Sequence, residues 1–557
     1  MKNIFTLFSV LIIQQFLIAQ TTENYLIEFK NKTGSKFSIN KPSDFLSEKS
    51  IQRRVNQNIK LNSTDLPVNP DYVLGVKSIG VSVSSQSKWL NALCVSTTDI
   101  SKIKLIEQLP FVKNIVLLSN SSSEKLPSKY DFENYKSSTP YEKTDALINA
   151  KTLNYGLTFK QASQISVDCL HDQGFLGQGM TIAVIDAGFQ NVNTLATFDS
   201  MFVNHHLLGC RDFVTGDTMV FEDYIHGMNV LSCMAGNLPG RIVGTAINAN
   251  YWLLRTENIS SETLQEEVDW AIAAEFADSV GADIITSSLG YNKFDGGIGD
   301  HFYSDMNGNT TIITKAADLA ASKGIFVLSA AGNEASKPWH YIAAPADADS
   351  VLTVGAVDSI GVIGSFSSRG PTSDARIKPD VCARGVSAYV ANLTNDVYTQ
   401  NGTSFSTPIM AGAVACLWQA NPTKNNMEIF AAIQKSASQY STPDSIKGYG
   451  IPNFCLANTL LIGIDEYKIN TNYLDVYPNP FSTDFNVSFY SEEKQIINIE
   501  VFDIANRLIF QEEKNINPYS SNVFYFPDLN NQLTEGVYII RVVTTQKAYC
   551  KKLIKIK

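Results

Sequence analysis

Thr181-Ile-Ala-Val-Ile185-Asp186-Ala-Gly188 is a largely apolar run stopped by a carboxylate and a glycine. A short run that is apolar on both faces reads as a strand covered by helices on two sides, the situation of a parallel sheet. Asp283-Ile-Ile-Thr286, Ile325-Phe-Val-Leu328 and Val351-Leu-Thr-Val354 repeat the pattern. Between them, 262–280 and 311–322 read as helices, since Val268, Ala271, Ile272 and Phe276 return to one side about every 3.6 residues. Strands alternating with helices over residues 152–462 predict an α/β unit with a doubly wound, mainly parallel sheet.

In such a sheet the carboxyl ends of the strands face one crevice, so polar residues just after apolar runs are the first candidates for a site. Asp186 is one, with Gly188 permitting a tight exit turn, although an aspartate capping the next element looks the same. His226-Gly227 opens the uncharged run Met228–Gly236, which predicts a buried helix with the imidazole at its exposed start. A lone histidine is more often structural, so this position gains weight only from its company. Gly402-Thr-Ser404-Phe-Ser-Thr-Pro408 runs into apolar 409–417. Ser404 then stands at a helix start, with free amides and the positive dipole end facing any oxyanion, and Pro408 fits the first turn. A serine N-cap would read alike. Ala330-Ala331-Gly332-Asn333-Glu334 follows another strand and brings an amide donor, Asn333, to the crevice, where a loop asparagine also serves turns.

The chain order Asp186, His226, Asn333, Ser404, in these local sequences, resembles the subtilisin family of serine peptidases. Ser287-Ser288-Leu289-Gly290, Phe366-Ser-Ser-Arg-Gly-Pro371 and Lys378-Pro-Asp-Val381 extend the likeness. The resemblance implies a serine endopeptidase with Ser404 as nucleophile, His226 as general base and acid, Asp186 as the group orienting the imidazole, and Asn333 in the oxyanion hole. It also implies that 287–290, with Ala331 and Gly332, line a groove for an extended peptide backbone. Ala187 stands where the family usually has Ser or Thr, Met228-Asn229 replace Thr-His, and Arg384 replaces a proline. These departures keep two other readings open: a catalytically inactive surface binding module on the same fold, and an esterase-type acyl hydrolase.

At 557 residues the chain is long enough for several domains, and 44% hydrophobic with 18% charged residues describes a chain that folds throughout. Lys2 followed by apolar 4–13 reads as a secretory signal over residues 1–19. Residues 24–118 form a small α/β unit in the place where the family carries a pro-segment that assists folding and blocks the cleft. Residues 119–151, rich in Ser and charge with Pro127 and Pro140, read as a linker holding the processing site. Residues 474–557 alternate with period two and predict a β-sandwich. Val476-Tyr-Pro-Asn-Pro-Phe481, Gly536-Val-Tyr538 and Lys552-Leu-Ile-Lys-Ile556 resemble the C-terminal sorting domains of the type IX secretion system, which implies export through the periplasm and outer membrane to the medium or cell surface.

The net charge of −10 argues against nucleic acid as a partner, and no apolar stretch beyond the signal reaches the roughly 18 residues of a membrane span. The expected partners are protein or peptide substrates, the pro-segment as intramolecular inhibitor, and the secretion machinery. Calcium is common in the resembled family, yet no carboxylate loop with ligand spacing is present, so no metal or cofactor is expected. Cys233, Cys382 and Cys416 lie in apolar runs and read as buried, whereas Cys169 and Cys210 flank polar loops and are a candidate pair.

Overall fold

The computed structural model describes residues 21–121, 123–126, 153–462 and 474–557, the last apart from 492, 493, 506, 518, 519, 528, 530, 531 and 545–547. The signal expected over 1–19 and most of the 119–151 linker lie outside the described residues.

Seven strands make the central sheet, in the order Val381–Arg384, Val351–Val357, Phe326–Ala330, Ile284–Ser287, Thr181–Asp186, Asn250–Arg255 and Leu207–Asp212, every neighbouring pair parallel. From Thr181–Asp186 the chain lays down the edge strand Leu207–Asp212, returns to fill the gap with Asn250–Arg255, then crosses to lay down Ile284–Ser287 on the other side. That reversal is the topological switch point, and Asp186 and Ser287 end the two strands that flank it. Alternate side chains serve two cores. Ile182, Val184, Phe326 and Leu328 pack with the helices His226–Ala235 and Thr403–Ala420, while Ala183, Ile185, Ile285 and Val327 pack with Leu264–Val280 and Ile312–Ser322. The helix Thr403–Ala420 is buried from Thr403 through Trp418, as its uniformly apolar sequence requires.

Residues 23–120 form a four-stranded antiparallel sheet, Ser82–Ser87, Ala92–Thr97, Glu23–Phe29 and Val112–Asn120 in spatial order. One face packs on Pro70–Lys77 and Ile100–Glu107 through Ile27, Val76 and Ile106. The other presents Leu26, Cys94 and Leu118, with Trp89, to the helices Leu264–Val280 and Ile312–Ser322. The C-terminal unit is two antiparallel sheets of three and four strands around Val487, Phe489, Ile499 and Ile540. Its last hairpin pairs Gly536–Val543 with Ala548–Lys555.

Two expectations are corrected. Cys169 forms its disulfide with Cys455, 286 residues away, not with Cys210, which lies half-buried on the strand Leu207–Asp212. The bridge ties the short helix Asp168–Asp172 to the helix Phe454–Leu461 and so joins the two ends of the α/β unit, a pairing set by tertiary packing that residue spacing does not encode. Pro408 lies past the first turn, six residues into the helix that starts at Thr403. A proline there leaves the carbonyl of Ser404 without its intrahelical donor. The hydroxyl of Ser288 supplies the bond instead, at 2.8 Å.

Beside the disulfide, His171 is buried with Nδ1 2.6 Å from the Tyr155 hydroxyl and Nε2 3.0 Å from the Thr245 carbonyl. The carbonyl only accepts, so Nε2 carries a proton. Burial pushes its pKa down to about 4. As pH falls through about 6.5 the unfolded chain takes up a proton that the folded chain refuses, so stability is lost from there down to about 4, by about 3 kcal/mol. Urea titrations at pH 7 and pH 4.5 should show a larger drop for the parent than for His171→Gln. Equal drops would refute the assignment.

Candidate active site

Asp186 is the last residue of its strand and His226 the first of its helix, and the two, 40 positions apart in the chain, meet because the helix start packs closely against the strand end. A Cβ on Gly227 would come within 2.3 Å of the Gly188 carbonyl and 3.0 Å of Asp186 Cβ, so only glycine lets the helix start this close to the strand end. Nδ1 of His226 lies 2.6 Å from Asp186 Oδ1, which also accepts the Ala187 N–H at 2.8 Å. The departure at Ala187 has a visible consequence: Asp186 Oδ2 is buried with no donor among the described residues, and a Ser or Thr at 187 would carry a hydroxyl that alanine lacks. His226 is fully buried, which corrects the expectation of an exposed helix start; the whole helix sits inside the molecule. The substitutions after it are absorbed structurally. Met228 packs in the core, and Asn229 donates to the Ala391 carbonyl at 2.7 Å while accepting the Tyr398 hydroxyl at 2.9 Å.

Ser404 is the second residue of its helix and 4% exposed. Its Oγ donates to the Ser288 carbonyl at a long 3.5 Å, in return for the bond that the Ser288 hydroxyl makes to its own carbonyl. The His226 ring lies 6.0 Å, centroid to centroid, from the ring of Phe405, the residue next to Ser404. Asn333 follows the strand Phe326–Ala330, and its Oδ1 accepts the Thr403 N–H at 3.0 Å and the Thr403 hydroxyl at 3.2 Å. With the oxygen so engaged, the amide nitrogen is the end left to face the cleft. Thr403, quoted above only as part of the serine motif, is the residue that orients Asn333, and its hydroxyl also accepts the Gly332 N–H at 3.2 Å. Its place directly before the serine was the only signal for it.

The candidate groove residues divide. Ser288 touches Ser404, and Gly290 approaches Ala343, where an added Cβ would sit 3.4 Å from the alanine methyl. Ser287 and Leu289 turn away: the Ser287 hydroxyl accepts the Trp270 indole N–H at 2.9 Å, and Leu289 is buried in the core shared with the helices Leu264–Val280 and Ile312–Ser322. Ala331 is buried against Ile342 and Ala346, leaving its backbone and that of Gly332 as the groove wall. Arg384 donates to the Ser387 carbonyl at 2.9 Å and stacks over Tyr389, so the charge in place of proline holds its own turn. Among the described residues no group of three or more His, Cys, Asp or Glu is arranged to hold a metal ion.

Three family models match the chain: the subtilase family over 177–450, a peptidase S8 propeptide domain of Bacteroidota over 24–132, and a secretion system C-terminal sorting domain over 475–557. Subtilisin E of Bacillus subtilis is 31% identical over 294 residues, spanning 52% of this chain and 67% of the relative. Subtilisin of Bacillus pumilus is 31% identical over 294 residues, 52% of this chain and 93% of the relative. Subtilisin J of Geobacillus stearothermophilus is 27% identical over 441 residues, 78% of this chain and 91% of the relative, so that alignment extends beyond the subtilase match.

Proposed function

Because this chain belongs to the subtilase family it is a serine-type endopeptidase, and we propose that Asp186, His226 and Ser404 are its catalytic triad with Asn333 in the oxyanion hole. The observation that carries this reading is the buried 2.6 Å bond between His226 Nδ1 and Asp186. With Nδ1–H committed to the carboxylate, Nε2 is the basic nitrogen. It takes the Ser404 proton as Oγ adds to the carbonyl carbon of the scissile bond. The resulting oxyanion accepts from the Asn333 amide and the Ser404 backbone N–H at the start of the helix. His226 then protonates the leaving amine, the C–N bond breaks, and water, deprotonated by the same imidazole, hydrolyses the acyl ester. An extended substrate lies along Ser288–Gly290 and the backbone of Ala331 and Gly332, recognised through main-chain bonds.

A fluorophosphonate probe should label Ser404 and the labelled enzyme should lose the ability to cleave a peptide library. Labelling without any peptide cleavage would favour an esterase, and no labelling a binding module. Asn333→Leu is expected to lower kcat by about 10²–10³-fold with KM nearly unchanged, since the donor acts on charge present only in the transition state. A rise in KM at constant kcat would assign Asn333 to substrate binding instead.

The propeptide and sorting-domain matches indicate an exported precursor, secreted or held at the cell surface. No helix among the described residues is long and apolar enough to cross a membrane. The proposed route is the type IX system, entered through a signal at 1–19 and followed by removal of the 24–118 unit by cleavage within 119–151.

A further inference from the structure

Asn229, one of the departures from the family pattern, gives the helix that carries His226 a polar grip on the segment that carries Ser404. It lies three residues beyond His226 and meets the antiparallel hairpin of Ala388–Ala391 and Val397–Gln400, whose second strand runs directly into Gly402-Thr-Ser404. Helix and hairpin are joined at three points. Asn229 Nδ2 donates to the Ala391 carbonyl at 2.7 Å, the Ala391 N–H donates to the Ser232 hydroxyl at 3.0 Å, and the Tyr398 hydroxyl donates to Asn229 Oδ1 at 2.9 Å. The Tyr398 oxygen in turn accepts from Gln400 Nε2 at 3.1 Å.

Every bond in this chain has a fixed direction. The Ala391 carbonyl only accepts, so it turns the Asn229 amide nitrogen towards itself and leaves Oδ1 for the phenol. The Tyr398 proton is then committed to Oδ1, and its oxygen is the acceptor for Gln400. Tyr398 and Gln400 are two apart on one strand and so project from the same face, whereas Thr399 between them points the other way and is half-exposed. Asn229, Tyr398 and Gln400 are all buried, where a phenol or amide left without a partner is costly.

The two ends of the chain of bonds are the two halves of the proton transfer. Apolar packing holds the helices His226–Ala235 and Thr403–Ala420 in one core, but burial is non-directional and permits small slides. Hydrogen bonds fix angle as well as distance. The series Asn229, Tyr398, Gln400 begins three residues after the base and ends four before the nucleophile. Between Gln400 and Ser404 the backbone is pinned: Asn401 Oδ1 accepts the Ser387 N–H at 2.8 Å, and the Gly402 N–H donates to the Gly385 carbonyl at 2.8 Å.

We propose that Tyr398 is a positioning residue of the peptidase: its hydroxyl ties the helix of His226 to the segment of Ser404 and sets the separation across which Nε2 receives the serine proton. This rests on the triad reading above. A misplacement of ~1 Å at such a step can cost up to about 10²-fold in rate, so one bond at this position is enough to be read kinetically.

The test compares active unaltered enzyme with Tyr398→Phe, Gln400→Leu and the double variant, each normalised to the number of sites that a fluorophosphonate finally titrates. Each single variant should show kcat lowered about tenfold, the rate constant for fluorophosphonate labelling lowered by the same factor, and KM within about twofold. The double variant should be no slower than the slower single one, because either change breaks the same chain. Stability should move differently. Tyr398→Phe leaves the Gln400 amide without its partner, and adding Gln400→Leu removes that amide, so the thermal unfolding midpoint should recover in part while kcat does not. Rates that track the midpoint, losses that multiply in the double variant, or rates equal to those of the unaltered enzyme would overturn the positioning role, with labelling of the unaltered enzyme at Ser404 still upholding the triad. No labelling of the unaltered enzyme would overturn both.

Discussion

Ser404→Ala is expected to lower kcat for peptide hydrolysis by on the order of 10⁶-fold, a magnitude taken from loss of the nucleophile in subtilisin itself. The variant keeps the buried Asp186–His226 bond and the Asn333–Thr403 bonds, because none of them involves the serine hydroxyl. Some acceleration over water, about 10³–10⁴-fold, should survive through the oxyanion donors and the groove. A second readout separates loss of chemistry from loss of fold. If the enzyme removes its own pro-segment, the variant should accumulate as a chain still carrying residues 24–118, with a thermal unfolding midpoint close to that of the unprocessed parent. A processed Ser404→Ala protein would mean that another protease performs the cut. Undiminished hydrolysis would remove Ser404 from the mechanism.

The parts legible in the chain were those governed by local pattern. Thr181–Asp186, Ile284–Ser287, Phe326–Ala330 and Val351–Val357 lie at the sheet's centre, buried on both faces, and their apolar runs say so. Leu207–Asp212 is an edge strand, half-exposed, and its Gly209, Arg211 and Asp212 hide it among loops. The hydrophobic signal of a strand fades at an edge because burial does. The site shows the same division. Local motifs marked Asp186, His226, Asn333 and Ser404, but the burial of His226, the Ser288 bond that compensates Pro408 and the grip of Thr403 on Asn333 all depend on neighbours distant in the chain. The turning of Ser287 towards Trp270 follows from the strand's alternation, which decides which of two adjacent serines faces the nucleophile.

Longest in range is the contact between pro-segment and catalytic unit, and here a single substitution should have its largest effect on stability. Asp278 is fully buried near the C-terminal end of the helix Leu264–Val280 and binds Arg53 at 2.5 Å, Arg54 at 2.9 Å and Lys88 at 3.3 Å. Burial alone would raise its pKa, but the Lys88, Arg53 and Arg54 cations outweigh it and hold the carboxylate at about 2. Asp65 completes the network with Arg54 at 2.8 Å and Lys323 at 3.1 Å. Arg53 also donates to the Ala282 and Lys323 carbonyls, just past the ends of the two helices that the pro-segment covers. A cation suits that place and a carboxylate does not, because both act on the negative end of a helix dipole. Asp278 is thus unfavourable to its own helix and favourable only while the pro-segment's cations surround it.

Asp278→Ala should therefore act in opposite senses on the two forms. In the precursor it leaves three cations buried without their shared counter-ion, a loss of about 3–5 kcal/mol. In the mature enzyme, with the pro-segment gone and position 278 open to water, the change should be within about 0.5 kcal/mol of neutral or slightly stabilising. Denaturant titrations of the Ser404→Ala precursor and of mature enzyme inhibited with fluorophosphonate, each with and without Asp278→Ala, measure both. Equal destabilisation of the two forms would show that Asp278 serves the catalytic fold itself. A change confined to the precursor would show that the catalytic unit carries this carboxylate for the sake of a segment it later discards.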